Sequence, residues 1–260
     1  MSIRVVVHGA AGKMGRMVIS AIESAPELVL AGGVDVKVTD NFINTKSGRV
    51  PFSTDLDGIL KETAPGVLVD FSTAKAVLSM AATAAAHNVN IVSGTTGLSP
   101  SELGEIDSLA TDAGIGAVIA SNFALGAVVM MHLAKIAARY FDFAEIIEEH
   151  HDQKLDTPSG TALTTAKSMA LERGCRFLES LHKVHLAPRG LDVEGIAIHS
   201  VRLPGIVARQ EVLFGAMGQT LSIKHDAISR ECYMPGVILA IKKVGDFKGL
   251  VTGLDKLLGF

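Results

Sequence analysis

The sequence predicts an α/β protein in two parts, a doubly wound parallel sheet followed by an α+β part with a mixed sheet. Three observations predict it. Short β-branched runs alternate with longer Ala- and Leu-rich stretches through the first half, which is the pattern of βαβ units. The first of those runs ends in a glycine cluster. In the second half, strand-like runs follow one another with only Pro/Gly turns between them.

Taken in order, Ile3–His8 reads as a strand, Lys13–Ser24 as a helix and Leu28–Val34 as a second strand. Val67–Phe71, Ile91–Ser93 and Ala117–Ala120 are further strands, with helices at Lys75–Asn88 and Ser101–Ala113 between them. Glu145–His151 is a strand, and after a Pro/Ser/Gly segment comes a helix, Thr161–Arg173. Ile196–Leu203, Gln210–Ala216 and Gln219–Asp226 supply the mixed or antiparallel sheet, and Met234–Lys243 and Thr252–Leu258 read as helical. The expected organisation is a dinucleotide-binding domain, residues 1–122 completed by 231–260, and a substrate-binding and oligomerisation domain, residues 123–230.

Composition narrows the function classes. A chain of 260 residues can bury a real core, and 48% hydrophobic with 20% charged residues is ordinary for a globular protein. A net charge of −3 carries no basic footprint, so no nucleic-acid partner is expected. Cys175 and Cys232 lie far apart and outside any CxxC spacing, which points to a reducing compartment and away from a zinc ribbon or disulfide scaffold. The apolar start Ile3–Val7 is short and runs into a glycine turn, so no signal peptide is expected. Apolar stretches such as Ala124–Met131 are too short to span a bilayer. A cytoplasmic protein without a membrane partner is the expectation.

The first strand runs into His8-Gly9-Ala10-Ala11-Gly12-Lys13-Met14-Gly15-Arg16. Strand, glycine turn and helix in this order present backbone N–H groups and a helix dipole to a pyrophosphate. The spacing G-x-x-G-x-x-G departs from G-x-G-x-x-G, and glycines in a βα turn can be purely steric. Two features favour a dinucleotide: the turn follows the first strand of a βαβ unit, and Asp35 ends the second strand. An acid about 20 residues downstream is expected at the adenosine ribose of NAD. This is a Rossmann-type arrangement. Asp35 would repel a 2′-phosphate, whereas Lys13, Arg16 and Lys37 would attract one, so both NADH and NADPH stay open.

The other informative stretch is Glu148-Glu149-His150-His151-Asp152-Gln153-Lys154-Leu155-Asp156-Thr157-Pro158-Ser159-Gly160-Thr161-Ala162. N–H groups at Ser159–Thr161 open a helix and would bind a carboxylate. Lys154 offers a charge or a proton, and a histidine titrates near neutral pH. A metal site built on Glu148, His150 and Asp156 is the rival, but adjacent strand residues face opposite ways and no metal-ligand spacing occurs. A solvated charged loop is the bland alternative. The convergence of acid–base groups on an anion nest favours catalysis, with no metal.

These segments resemble the 4-hydroxy-tetrahydrodipicolinate reductase (dihydrodipicolinate reductase) family along essentially the whole chain. The His-His-Lys segment matches its E-x-H-H-x-x-K-x-D-x-P-S-G-T-A signature, and Gly9–Arg16 resembles its G-x-x-G-[KR]-M-G-R loop. Asp70-Phe71-Ser72, Gly94-Thr95-Thr96-Gly97 and Ala120-Ser121-Asn122-Phe123 are further echoes. Ser121 stands where the family commonly has proline, and Val36 where some members have a basic residue.

By position, the resemblance implies that His150 and Lys154 are catalytic proton donors and that His151, Ser159, Gly160 and Thr161 contact substrate. It places Gly9, Ala10, Ala11, Gly12, Lys13, Met14, Asp35, Gly94, Thr95, Thr96, Ala120, Ser121, Asn122 and Phe123 at the cofactor. A looser match puts Arg230 near the substrate. The implied reaction, in diaminopimelate and lysine biosynthesis, is reduction of a small cyclic dicarboxylate by NADH or NADPH. Hydride passes from the nicotinamide to a conjugated imine left by loss of water. A homotetramer assembled through the second domain's sheet is implied as well. Rival readings are a two-domain dehydrogenase acting on an amino acid or semialdehyde, and a non-catalytic NAD(P)H sensor, which has no use for paired histidines beside an anion nest.

Overall fold

The computed structural model describes residues 2–46, 48–178 and 189–260, which form two compact units, 1–123 with 233–260 and 124–232. In the first unit, β1 (Ile3–His8) carries Val5, Val6 and Val7 fully buried, the unbroken apolar run of a parallel strand covered on both faces. Helix α1 (Lys13–Ser24) returns the chain to β2 (Leu28–Val34), which pairs parallel to β1. A hairpin of β3 (Phe42–Thr45) and β4 (Gly48–Ser53) extends this side.

After α2 (Leu56–Thr63), capped by the Asp55 carboxylate, the chain crosses to the other side of β1. There it adds β5 (Val67–Asp70), α3 (Ala74–Ala86), β6 (Asn90–Ser93), α4 (Pro100–Asp112) and β7 (Gly116–Ile119). Ser99 and Glu102 close a capping box at the start of α4. With β13 (Gly249–Thr252) from the end of the chain, the eight-stranded order is β13-β7-β6-β5-β1-β2-β4-β3. Strand order therefore reverses between β1 and β5, where parallel sheets open a ligand crevice at their carboxyl ends.

In the second unit, α5 (Leu125–Ala138) and α6 (Gly160–Arg173) cover a five-stranded sheet. Its strands are β8 (Phe143–His150), β9 (Leu191–Val193), β10 (Ile196–Arg202), β11 (Ala208–Ala216) and β12 (Gln219–Ala227), in the order β12-β11-β8-β10-β9. The sheet is mixed: β8 and β10 are parallel and the other pairs antiparallel. Ile146, Ile196, Ile198, Val212 and Phe214 face Met130, Ala134, Ala162, Ala166 and Met169. Each large apolar side chain buried here contributes about 1.5–3 kcal/mol.

The chain then passes through a 3₁₀ turn, Arg230–Tyr233, and α7 (Met234–Lys243) to β13 (Gly249–Thr252), which pairs parallel to β7 in the first unit. Thr252–Leu258, read as helical, is corrected here. Thr252 ends β13, Gly253 at φ +87 turns the backbone, and only α8 (Asp255–Leu258) is helical.

Candidate active site

In the first unit the glycine turn leaves the carboxyl end of β1. Gly9 has φ +80, and a Cβ there would lie 2.7 Å from the Phe71 carbonyl oxygen. A Cβ on Gly15 would overlap the Gly9 carbonyl, so α1 can approach the turn closely only with glycine at this position. Gly12 opens α1 without a side-chain cap. Asp35 braces the turn: Oδ2 accepts from the Ala11 N–H and Oδ1 from the Lys37 N–H, each at 2.9 Å. Arg16 donates twice to the Ala11 carbonyl. Ala10, Ala11, Gly12, Arg16, Asp35 and Lys37 line a cleft of about 710 Å³.

Beside this turn, Asp70 is fully buried at the end of β5 and accepts from four side chains: His8 Nδ1 (2.9 Å), Ser72 Oγ (2.6 Å), Ser93 Oγ (2.7 Å) and Thr95 Oγ1 (2.8 Å). Burial alone would raise its pKa. Hydrogen bonds from His8, Ser72 and Ser93 outweigh that and hold the carboxyl below its ordinary value. The network ties together the loops after β1, β5 and β6. Thr95 spends its hydroxyl inward on Asp70, and Ala120 and Phe123 are buried, with Phe123 5.9 Å from Phe71 between ring centres. Gly94 is partly exposed, as are Met14 and Asn122, whereas Lys13, Thr96 and Ser121 are exposed.

In the second unit, strand alternation puts Ala144, Ile146, Glu148 and His150 on the core-facing side of β8. Glu148 is fully buried there. Its Oε2 meets His150 Nδ1 at 2.6 Å, and Arg202 on β10 forks onto both carboxylate oxygens at 3.0 and 2.8 Å. Burial alone would raise this carboxyl, but the bonds from His150 and Arg202 bring it down to about 2. Lys154 donates to Asp156 Oδ1 at 2.7 Å, and Lys154 with the Gly160 N–H keeps Asp156 below its usual range. The same loop returns through Pro158 to α6.

The sequence of this chain fits the dihydrodipicolinate reductase N-terminus over residues 3–123 and the dihydrodipicolinate reductase C-terminus over residues 126–258. The chain belongs to the dihydrodipicolinate reductase family. It is 53% identical over 258 residues to a 4-hydroxy-tetrahydrodipicolinate reductase of Dehalococcoides mccartyi, with 98% of each chain covered. It is 47% identical to one of Moorella thermoacetica, covering 100% of this chain and 99% of the relative. The dipicolinate-bound dihydrodipicolinate reductase from Paenisporosarcina sp. TG-14 superposes with a TM-score of 0.88 at 38% identity, covering 98% and 99% of the two chains. The expected α/β fold with its second, mixed sheet is the fold of this family. An amine dehydrogenase from Mycobacterium smegmatis, at 16% identity and TM-score 0.67, shares the fold alone.

For a member of this family, the two halves of the sequence reading land at two places. Of the residues read at the cofactor, Ala10, Ala11, Gly12 and Asp35 line one cleft in the first unit, and His150, Lys154 and Gly160 belong to one segment in the second. His151 follows the end of β8 and is half-buried. Ser159 departs from the reading. Its N–H is donated to Glu148 Oε1 at 3.2 Å and its hydroxyl caps α6 through the Ala162 N–H, so its part in the expected anion nest is spent inside the protein. Arg230 is exposed in its 3₁₀ turn. Sequence reasoning missed Arg202 and His8, neither of which sits near its partner in the chain. Glu148 entered it only as a metal ligand.

Proposed function

We propose that the chain is a 4-hydroxy-tetrahydrodipicolinate reductase, reducing its cyclic dicarboxylate to tetrahydrodipicolinate with NADH or NADPH in diaminopimelate and lysine biosynthesis. The observation that carries this reading is family membership together with a loop in which His150, Lys154 and the α6 N-terminus are held within one unit. Neither the amino-acid dehydrogenase nor the sensor reading is favoured by that combination.

The first unit fits a dinucleotide. The turn is closed so tightly that a Cβ at Gly9 or Gly15 would strike neighbouring backbone, and the cleft beside it is lined by Ala10, Ala11, Gly12 and Asp35. Gly9–Met14 would hold the pyrophosphate and Asp35 the adenosine ribose, with the loops at Gly94–Thr96 and Ala120–Phe123 completing the site. When bound, the cofactor supplies a hydride. In the second unit, the Thr161 N–H, Lys154 and His151 would hold the substrate carboxylates and orient the ring, with the Gly160 N–H joining them as the substrate displaces Asp156. His150 or Lys154 would deliver the proton to the reduced substrate.

A homotetramer is part of this reading. It is supported by β12, a nine-residue edge strand that is largely exposed, as strands that pair with another copy are. Light scattering on the purified chain measures it directly. A cytoplasmic location is proposed from the biosynthetic role. Among the described residues, no helix is long and apolar enough to cross a membrane.

The test is nicotinamide absorbance, following NADH and NADPH oxidation with freshly generated 4-hydroxy-tetrahydrodipicolinate. The expected result is rapid substrate-dependent oxidation that collapses in His150→Gln and Lys154→Ala. A folded, cofactor-binding wild type without oxidation would overturn the assignment.

A further inference from the structure

We propose that Glu148 is the positioning residue of His150, fixing which imidazole nitrogen exchanges a proton, and that Arg202 locks Glu148 in place for that task. This rests on the reading of His150 as a proton-transfer residue and goes beyond it.

Three observations on the second unit carry the inference. The first is the acceptor. A fully buried carboxylate gripped on both oxygens by a guanidinium stays ionised, and an ionised carboxylate only accepts hydrogen bonds. The 2.6 Å contact with His150 therefore has Nδ1 as its donor. Nδ1 keeps its proton, and Nε2 is left as the nitrogen that gains and loses one. The pairing follows from strand geometry, since residues two apart on β8 share a face.

The second observation is the lock. β10 runs parallel to β8 with Ser200 opposite Glu148 and Arg202 opposite His150, and its own alternation points Ile196, Ile198 and Arg202 to the same face. Arg202 thus reaches Glu148 from the neighbouring strand without a backbone distortion. It also donates to the Asp156 carbonyl at 2.7 Å, tying the carboxylate to the Lys154-bearing loop.

The third is the shared hub. Glu148 Oε1 also accepts the Ser159 N–H, the residue that caps α6. One carboxylate thereby fixes the imidazole and the helix start that faces the proposed carboxylate site. A buried charge cluster costs desolvation and contributes little net stability compared with an apolar replacement, so its presence on a core-facing strand position calls for another role. Orientation of an acid–base group is such a role, in the manner of carboxylates behind imidazoles elsewhere.

The experiment combines ring-nitrogen NMR of His150 with steady-state kinetics on wild type, Glu148→Gln, the doubly neutral Glu148→Gln/Arg202→Gln, and His150→Gln. In the double variant no unpaired charge is left buried if Glu148→Gln alone fails to fold. The expected wild-type spectrum shows the neutral imidazole protonated at Nδ1. In the neutralised variants that tautomer gives way to a mixture or to the Nε2–H form, and kcat falls on the order of 10²-fold while KM stays within about threefold. A neutral wild-type imidazole protonated at Nε2 overturns the proposal without any variant. So does a folded Glu148 variant with wild-type kcat while His150→Gln collapses, which leaves the catalytic reading of His150 standing. Full activity in His150→Gln removes that reading and the proposal with it.

Discussion

Lys154 Nζ lies 2.7 Å from Asp156 Oδ1, so the lysine expected to meet a substrate carboxylate is already paired with a carboxylate of its own loop. Asp156 is 58% exposed on its side chain, and such a pair contributes roughly 0–1 kcal/mol to stability. Its consequence lies in binding. A dicarboxylate arriving at Lys154 must share or displace Asp156, although an ammonium has three donors to divide. Asp156→Asn is expected to leave thermal unfolding within about 1 kcal/mol of wild type and to lower substrate KM several-fold. Steady-state kinetics beside a melting curve checks both; a raised KM would assign Asp156 to holding Lys154 in place.

Acid stability should carry the signature of Glu148. Its carboxyl drops from 4.5 to about 2 on folding, chiefly because bonds from His150 and Arg202 overcome the burial that would raise it. A depressed folded value means the native state holds fewer protons than the unfolded chain. The contribution is therefore complete above about pH 4.5 and is lost as pH falls toward 2. Denaturant unfolding of the wild type between these limits is expected to show a stability slope. Part of that slope, on the order of 2–3 kcal/mol, should be absent from Glu148→Gln/Arg202→Gln. Equal slopes in the two proteins would place the acid sensitivity elsewhere, Asp70 being the next candidate because its buried carboxyl is also depressed.

What the sequence made legible depended on whether the partners were local. β1, α1 and Asp35 were readable because an apolar run, spaced glycines and a closing acid occupy one βαβ unit. The β3–β4 hairpin was not, since β4 is exposed or half-buried throughout and carries Arg49 and Pro51, which hides any strand period. Helix α5 was invisible for the opposite reason. Leu125–Ala138 is apolar almost all round, so no 3.6-residue stripe stands out. At the site, His150, Lys154 and Gly160 lie within one segment and could be found together. Arg202 joins them only through the parallel pairing of β8 and β10, and no pattern in a single sequence announces that register.

Coenzyme choice should turn on Asp35. Its two carboxylate oxygens are each held by a backbone N–H, which fixes the charge at the cleft that Arg16 and Lys37 also line. A 2′-phosphate would meet that carboxylate as well as the two cations. Asp35→Ser removes the repulsion and leaves the cations, and kcat/KM for NADPH relative to NADH is expected to rise about tenfold, equivalent to roughly 1.4 kcal/mol. An unchanged ratio would mean that the adenosine ribose does not sit at Asp35. Arg16→Ala should move the ratio the other way, because it withdraws one of the two cations.

Two glycine-to-alanine changes separate fold from site. A Cβ on Gly15 would overlap the Gly9 carbonyl and sit 2.8 Å from the Ala10 Cα, both of them backbone, so the turn itself must move. Gly15→Ala is expected to weaken cofactor binding and to lower the melting temperature together. At Gly160, a Cβ would meet nothing within 4 Å and the backbone is not in the left-handed region. Alanine in the first turn of α6 should leave stability unchanged or improve it by up to about 1 kcal/mol. Because the space over Gly160 is open in the free chain, any loss of function must come from what occupies that space when substrate binds. A rise in substrate KM with intact folding and intact NADH binding would place a carboxylate against the start of α6. Unchanged kinetics in a well-folded Gly160→Ala would move the substrate away from the α6 N-terminus and leave Lys154 and His151 to hold it.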